Sequence, residues 1–408
     1  MIIAIILFIA SYSLLSEYNN YKNFTRFDSA LVSATVQKHY EKTKYSKKGK
    51  KRKVQILKLK CNKGFTFYSS TKTSTQLNVG QTLQLEIWVK RVTFYEYLSS
   101  FYAFSKIITS STKPSYREKF NTFIASQHEN SEITHIYQAL FSAKSLEYHL
   151  QKQFSELGIS HLVAISGFHL SVLSALLFFL FKYPYTFLQN RYFPYRNYHV
   201  DSFFIIATIL LGYLLFLEYP PSLLRAFAML VIGFILYDRG IEVVSMQTLF
   251  LSGILLLSFF PRLIFSIGFW LSIAGVFYIF LFLLNFKHLK KIWQFILIPL
   301  WVYILILPYS LILFGNFSLY HPLSIIWTSL FTLFYPLSIA LHIIGFGNLL
   351  DSYLESLLSL HQQSVVLQLS TYQLIIPIIL SFLSLVKRNA IYLLLCYSSC
   401  ILLYALSQ

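Results

Sequence analysis

Three short segments carry polar side chains into otherwise apolar stretches, and these residues have the most chemistry to offer. The first is Gly158-Ile-Ser-His-Leu-Val-Ala-Ile-Ser-Gly-Phe-His-Leu-Ser, which brings His161, Ser166, Gly167, His169 and Ser171 into a hydrophobic run. Ser166 and His169 are three apart and so are neighbours on a helix. Gly167, Ser171 and Ser174 form a stripe of small residues, and such stripes let helix backbones approach closely. Polar groups at membrane depth usually face a bundle interior or a watery path. The second segment is Pro220-Pro-Ser-Leu-Leu-Arg-Ala-Phe-Ala-Met. An arginine facing lipid near the bilayer centre costs about 2.5–3.5 kcal/mol or more. Arg225 must therefore snorkel or find an acidic or carbonyl partner, with Glu218 and Asp238 as the nearby acids. The third segment, Gly268-Phe-Trp-Leu-Ser-Ile-Ala-Gly, reads as a helix with small residues and an aromatic, and carries Ser272.

The elements that must hold these residues are membrane helices. Of the 408 residues, 56% are hydrophobic and only 12% charged, against about 25% charged in a soluble domain. Apolar runs of spanning or near-spanning length occur at 162–181, 203–217, 222–237, 243–260, 263–286, 292–314, 323–344, 371–386 and 390–406. Residues 1–16 read as a first membrane helix. The expectation is a polytopic α-helical membrane protein of about 9–11 membrane helices, some short or broken. An amphipathic helix is expected at 133–157, where Leu146, Leu150, Phe154 and Leu157 recur at helical spacing beside charged residues.

Charge divides the chain. From Lys22 to Lys119 there are 21 Lys and Arg against 5 Asp and Glu, a net of +16 out of the protein's +18. Such a basic segment suits a polyanion, either nucleic acid or anionic lipid. Within it the apolar period changes to two: Leu83, Leu85, Ile87 and Val89 alternate with Gln84, Glu86, Trp88 and Lys90. Further strands are expected at 31–37, 54–59 and 65–68, with turns at 62–64 and 78–80. About five strands over residues 26–100 suggest a small all-β domain of the OB type. Residues 42–53 hold seven Lys and one Arg and read as a loop. Residues 101–131 read as a connector, and 132–408 as the membrane body. Cys61 stands alone in the basic segment, so that domain holds no internal disulfide.

Taken together, the three segments resemble the ComEC competence family. Members carry a motif like G-x-S-H-L-x-A-I-S-G-x-H, matched by Gly158, Ser160, His161, Leu162, Ala164, Ile165, Ser166, Gly167 and His169. An S-x-x-R-A helix is matched by Ser222, Arg225 and Ala226, and G-F-x-L-S by Gly268, Phe269, Leu271 and Ser272. The resemblance implies an inner-membrane channel that passes one strand of transforming DNA into the cytoplasm, with no cofactor. Many members add a metallo-β-lactamase-like nuclease domain. This chain ends at Gln408 and contains no His-x-His-x-Asp-His cluster, so no enzyme activity is expected and a separate nuclease is implied. Without a Walker-type phosphate loop, a partner helicase or translocase or another gradient must drive transport. An external DNA receptor is a further implied partner, and homo-oligomerisation is left open.

Single-stranded DNA binding needs cations and aromatic platforms. Lys58, Lys60, Tyr68, Trp88 and Lys90 are the expected DNA-facing residues, with packing and solubility as the bland alternative for each. His161, Ser166, Gly167, His169, Arg225 and Ser272 are expected to line or support the path. With the N-terminus inside, Lys182, Arg191 and Arg196 share one cytoplasmic loop, and Lys287, Lys290 and Lys291 another. The basic domain then lies on the periplasmic side of a bacterial inner membrane. Lys387 and Arg388 conflict with that count, so a crossing or re-entrant hairpin within 351–368, or an error in one span, is implied. Two other classes stand beside this reading. One is a small-solute transporter. The other is an intramembrane serine protease, because the segment from Ala164 to His169 is similar to the rhomboid Gly-x-Ser-Gly motif without its first glycine.

Overall fold

The computed structural model describes residues 2–45, 51–72, 81–111, 116–242, 244–360, 365–367 and 369–407. It divides into two compact units. One comprises Met1–Lys119 with Ile254–Ser266, the other Phe120–Gly253 with Ile267–Gln408.

The first unit begins with helix α1 (Ile2–Phe24), longer than the apolar stretch that predicted it. Its polar end continues because it is anchored in the β-domain. The Tyr21 hydroxyl donates to the Val92 carbonyl at 2.9 Å, and the Phe24 ring packs 4.7 Å from Phe65 and 5.5 Å from Tyr97. Strands β1 (Ser29–Tyr45), β2 (Lys51–Cys61), β3 (Thr66–Lys72) and β4 (Thr82–Trp88) follow, then helix α2 (Phe94–Leu98), β5 (Phe101–Tyr102) and β6 (Ser105–Ser111). The sheet order is β5-β3-β2-β1-β4-β6. Only Ala103 and Phe104 separate β5, which runs parallel to β3, from β6, which runs antiparallel to β4. One stretch of chain thus bonds both outer strands. The period-two apolar residues fill the core as expected: Leu57, Leu59, Phe67, Leu83, Leu85, Ile87 and Val89 are all buried. Burying each such side chain contributes about 1.5–3 kcal/mol.

Two sequence expectations change here. Residues 101–131 are not a simple connector, since β5 and β6 belong to the sheet. The Ser/Thr content of 105–111 masked a strand whose register is set by pairing with β4 rather than by its own apolar pattern. The lysine-rich block at 42–53 is not simply a loop: Lys42 pairs with Val54, Lys44 with Arg52 and Tyr45 with Lys51 in a continued β1–β2 ladder. Residues 46–50, and the turn expected at 78–80, lie outside the described residues. The turn at 62–64 is present, with Gly64 at φ 87°, a conformation open to glycine at little steric cost. Residues 254–266 join this unit through Arg262, in the 3-10 helix Pro261–Phe265. Its guanidinium grips the Glu17 carboxylate with two bonds of 2.8 Å and lies 4.7 Å above the Tyr97 ring.

Helix α3 (Tyr116–Ala125) leads into the second unit. The single amphipathic helix expected at 133–157 is instead two, α4 (Ser131–Ser142) and α5 (Tyr148–Glu156). Ala143 takes a left-handed conformation, φ 55°, and ends α4. After the short α6 (Ser160–Val163) come α7 (Gly167–Tyr192), α8 (Tyr198–Phe216), α9 (Pro221–Asp238), α10 (Met246–Phe259), α11 (Ile267–Asn285), α12 (Lys291–Phe314), α13 (Ser324–Ile343), α14 (Asp351–Ser359), α15 (Ile375–Leu383) and α16 (Arg388–Leu406). Strands β7 (Asn316–Phe317) and β8 (Val365–Val366) pair between them.

Among the described residues, six helical stretches are long and apolar enough to cross a membrane: Gly167–Tyr192, Tyr198–Phe216, Ile267–Asn285, Lys291–Phe314, His321–Ile343 and Arg388–Leu406. Met246–Phe259 and Thr371–Leu383 are shorter apolar helices. At 1.5 Å per residue they reach only about 20 Å, against a hydrocarbon core of about 30 Å. The run 162–181 is the other departure. Its long helix starts only at Gly167, because the chain breaks at Ala164 to Ser166, after the short α6.

Candidate functional site

The break before α7 is where the first two motifs meet. Ser166 is the N-cap of α7, with extended backbone, φ −133° and ψ 173°. His169, three residues on, turns back to it. Its Nδ1 accepts from the Ser166 amide at 3.2 Å and lies 3.1 Å from Ser166 Oγ. This is a capping box in which imidazole fills the place usually held by a carboxylate or amide, satisfying groups a helix start leaves bare. The His169 ring is fully buried, edge-on to Phe331 and Tyr335 at 5.1 and 4.8 Å.

The second motif closes on this break from α9. Pro221 starts that helix, as suits a residue without an N–H. Ser222 Oγ donates to the Ile165 carbonyl at 2.7 Å, giving a partner to a backbone group within the break. One turn on, Ala226 faces Gly167 so closely that a Cβ on Gly167 would stand 3.1 Å from that of Ala226. A side chain there is crowded by contact, not by backbone angle. The chain enters α9 through Glu218 and Tyr219, at φ 60° and 56°. Two successive non-glycine residues in the left-handed region cost about 1–3 kcal/mol each, so strain is stored beside the junction.

Arg225 ties in the third motif. It is 3% exposed, and its Nη1 donates to the carbonyls of Gly268 and Phe269 at 3.2 and 3.5 Å. The guanidinium lies 5.8 Å from the Phe269 ring centroid. Of the partners the sequence left open, carbonyls are the ones found, rather than Glu218 or Asp238. Ser272 lies one turn further along α11 and is part-buried.

Thus Ser166, Gly167, His169, Ser222, Arg225 and Gly268 form one junction of α7, α9 and α11. His161 belongs to a different contact, 3.2 Å from Thr328 Oγ1 on α13. Gly158, at φ 71°, has no room for a Cβ because the His321 ring would stand 2.9 Å away. His169 and Arg225 are enclosed by protein, so they brace the helices rather than face open water.

The β-domain carries a second candidate surface. Lys58 pairs across strands with Tyr68, and its ammonium lies 6.0 Å from the Tyr68 ring centroid. Tyr68 pairs in turn with Tyr102. Tyr102 meets Phe104 edge-on at 5.7 Å, and the Phe104 carbonyl accepts from the Trp88 amide at 3.1 Å. Tyr102, Phe104 and Trp88 are 42%, 69% and 48% exposed. The result is one aromatic strip with a lysine at its head, crossing the place where β5 and β6 join the two outer strands. Lys60 sits opposite Thr66 on the same strand pair. Lys90 is held by Asp28 at 2.9 Å and is the weakest of the expected cations. Sequence reasoning missed Tyr102 and Phe104. Their signal was the alternation Phe101-Tyr-Ala-Phe, hidden in a segment taken for connector.

A family model described as Competence protein matches residues 142–408. An uncharacterized protein of Aquifex aeolicus (strain VF5) is 26% identical over 146 residues, which make up 36% of this chain and 32% of that protein. The aligned stretch thus spans about a third of that relative's length. No solved structure matches the chain. With the family match running from the end of α4 through α16 and taking in the whole α7–α9–α11 junction, the chain belongs to the competence protein family, ComEC.

Proposed function

We propose that this protein is a channel of a bacterial inner membrane that passes single-stranded DNA into the cytoplasm during natural transformation. The observation that carries the reading is the strip of Lys58, Tyr68, Tyr102, Phe104 and Trp88 on a strongly basic domain, joined to a competence-type membrane body. Stacked bases need aromatic faces and the backbone needs cations, and the strip offers both. The strand pairing, with β1 bonded to β2 and β4 and one terminal stretch bonded to β3 and β4, supports an OB-type barrel. In this reading the domain meets DNA on the periplasmic side and the α7–α9–α11 junction holds the passage open. A receptor delivers the DNA, a separate nuclease removes the other strand, and a helicase or translocase draws in the one that enters.

The test is DNA uptake in a strain lacking the protein, complemented with the intact chain or with Trp88→Ala and Tyr102→Ala together. Uptake restored by the intact chain and strongly reduced by the double variant, at equal membrane abundance, is the expected result. Purified protein should bind single-stranded DNA with a log–log salt slope near 0.7 per phosphate contacted. Salt-independent binding would remove the electrostatic half of the reading.

One observation favours a second reading. Ser166 Oγ and His169 Nδ1 lie 3.1 Å apart, the spacing of a nucleophile and its base. The same Nδ1 also accepts the Ser166 amide, which suits a cap better than a base free to take a proton. We therefore assign the pair to helix capping and no hydrolytic role.

A further inference from the structure

A buried chain of polar groups lies apart from both candidate surfaces. The turn between α3 and α4 carries Gln127 and His128. The His128 side chain is fully enclosed and stacked on the Tyr137 ring at 4.6 Å and 9°. Its Nδ1 lies 3.0 and 2.9 Å from the two Asp351 carboxylate oxygens. Its Nε2 lies 3.0 Å from Nε2 of His342. His342 Nδ1 in turn lies 2.7 Å from the Ser338 carbonyl. Gln127 reinforces the same contact, donating to the His342 carbonyl at 3.1 Å and accepting from the Gly347 amide at 3.0 Å. A Cβ on Gly347 would stand 2.6 Å from Gln127 Oε1 and 2.8 Å from His342 Nε2, so the turn fits α13 and the start of α14 without slack.

A carbonyl and a carboxylate only accept, so His342 Nδ1 carries a hydrogen. The Nε2–Nε2 contact needs one hydrogen between the rings, and the His128–Asp351 contact needs another. That makes three hydrogens for three bonds. Two neutral imidazoles supply two. With one fewer, a ring lone pair would face either a carboxylate or another lone pair at about 3 Å in a buried site, which costs more there than in water.

We propose that His128, His342 and Asp351 form a proton-binding site that closes only with one proton beyond those of two neutral histidines and a carboxylate, and that this proton fastens the α3–α4 turn to the α13–α14 junction. The extra proton is shared between the His128 ring and the Asp351 carboxyl. Burial pushes the Asp351 carboxyl above its usual range, against the opposing effect of the His128 hydrogen bond, with Glu355 adding to the rise. Glu355 on α14 is itself bonded to Asn130 at 2.9 Å. With Tyr137 from α4, these are the titratable groups around the site. Once the turn lifts away, a solvated histidine and aspartate hold fewer protons near neutral pH. Opening therefore releases a proton, and raising the pH favours the open form.

The test is hydrogen–deuterium exchange on the full-length protein in lipid nanodiscs, followed for peptides covering 126–131 and 344–351 from pH 6 to 9. After correction for intrinsic exchange, protection should fall up to about tenfold per pH unit between the titration of the opened groups and that of the closed site, the slope of one proton. Peptides from α12 should not share that slope. In Asp351→Asn the amide N–H can donate to His128 Nδ1 and close the chain with only two protons, so its protection should be retained and should not vary with pH. A flat wild-type profile overturns the proposal and needs no variant. An asparagine variant with the wild-type slope overturns it as well.

Discussion

At the scale of single residues, Ser166 and Arg225 separate a structural role from a chemical one. An N-cap serine replaced by alanine costs about 0.5–2 kcal/mol of helix stability. Ser166→Ala should lower the unfolding temperature of the protein in detergent and reduce uptake. Ser166→Asn keeps a capping oxygen and has no nucleophile, so uptake should stay near the wild-type level. Loss of uptake in both variants, together with loss of a peptide-cleaving activity, would instead point to the hydrolytic reading. Arg225→Ala leaves the Gly268 and Phe269 carbonyls without their cation, and losing a buried charge-assisted bond costs about 1.5–3 kcal/mol. Uptake should fall at least tenfold at unchanged membrane abundance. Arg225→Lys, which keeps the charge but loses the planar fork, should fall between alanine and the wild type. An alanine variant with full uptake would show that the junction does not depend on this contact.

At the scale of elements, the meeting of α7 and α9 is the sharpest case. Gly167→Ala would press a methyl to within 3.1 Å of Ala226, and overpacking typically costs about 1–3 kcal/mol. Ala226→Gly in the same chain should recover most of that loss in thermal unfolding, because the double variant moves the methyl to the other helix. Failure of the rescue would mean that Gly167 is needed for another reason. On the β-domain, Tyr102→Ala and Phe104→Ala should each weaken binding of single-stranded DNA by the roughly 1–3 kcal/mol a stacked base contributes. Lys90→Ala should have little effect, since Asp28 already holds that ammonium. Much at this scale was legible in the sequence. The spacing of Leu83, Leu85, Ile87 and Val89 fixed the face of β4, and each apolar run beyond residue 160 holds a helix. What was not legible depends on distant partners. β6 takes its register from β4, α1 is extended by Tyr21 and Phe24 reaching into a core built later in the chain, and the break at Ala164 to Ser166 is held by Ser222. Periodicity reads local burial, and none of these is a local fact.

At the scale of the whole molecule, the cations at Lys387 and Arg388 bear on which side of the membrane each part faces. With the N-terminus inside, alternate crossings put the α7–α8 loop in the cytoplasm and the β-domain outside. The same count puts Lys387 outside, against the preference for basic residues in cytoplasmic loops. A return before residue 368 resolves the conflict, and the pairing of β7 with β8 points to one: Asn316 and Phe317, ahead of α13, bond to Val366 and Val365, after α14, and the Leu367 amide donates to the Gly315 carbonyl at 2.8 Å. The chain that leaves along α13 is thus back beside the α12–α13 loop by residue 365. Counted with that return, α15 crosses to the cytoplasmic side, Lys387 lies there, and the charge pattern becomes consistent. The apolar helix Thr371–Leu383 is short for a crossing, and short segments of this kind are tolerated where protein surrounds them. Single cysteines can decide this in a chain whose Cys61, Cys396 and Cys400 are replaced by serine. In spheroplasts, a membrane-impermeant maleimide should label Asn62→Cys, in the exposed turn after β2. Tyr195→Cys, 84% exposed between α7 and α8, should react only after permeabilisation, and so should Lys387→Cys. Labelling of Lys387→Cys in intact spheroplasts would show that α15 turns back instead of crossing. Labelling of Tyr195→Cys but not Asn62→Cys would place the basic domain in the cytoplasm and remove it from the entry side altogether.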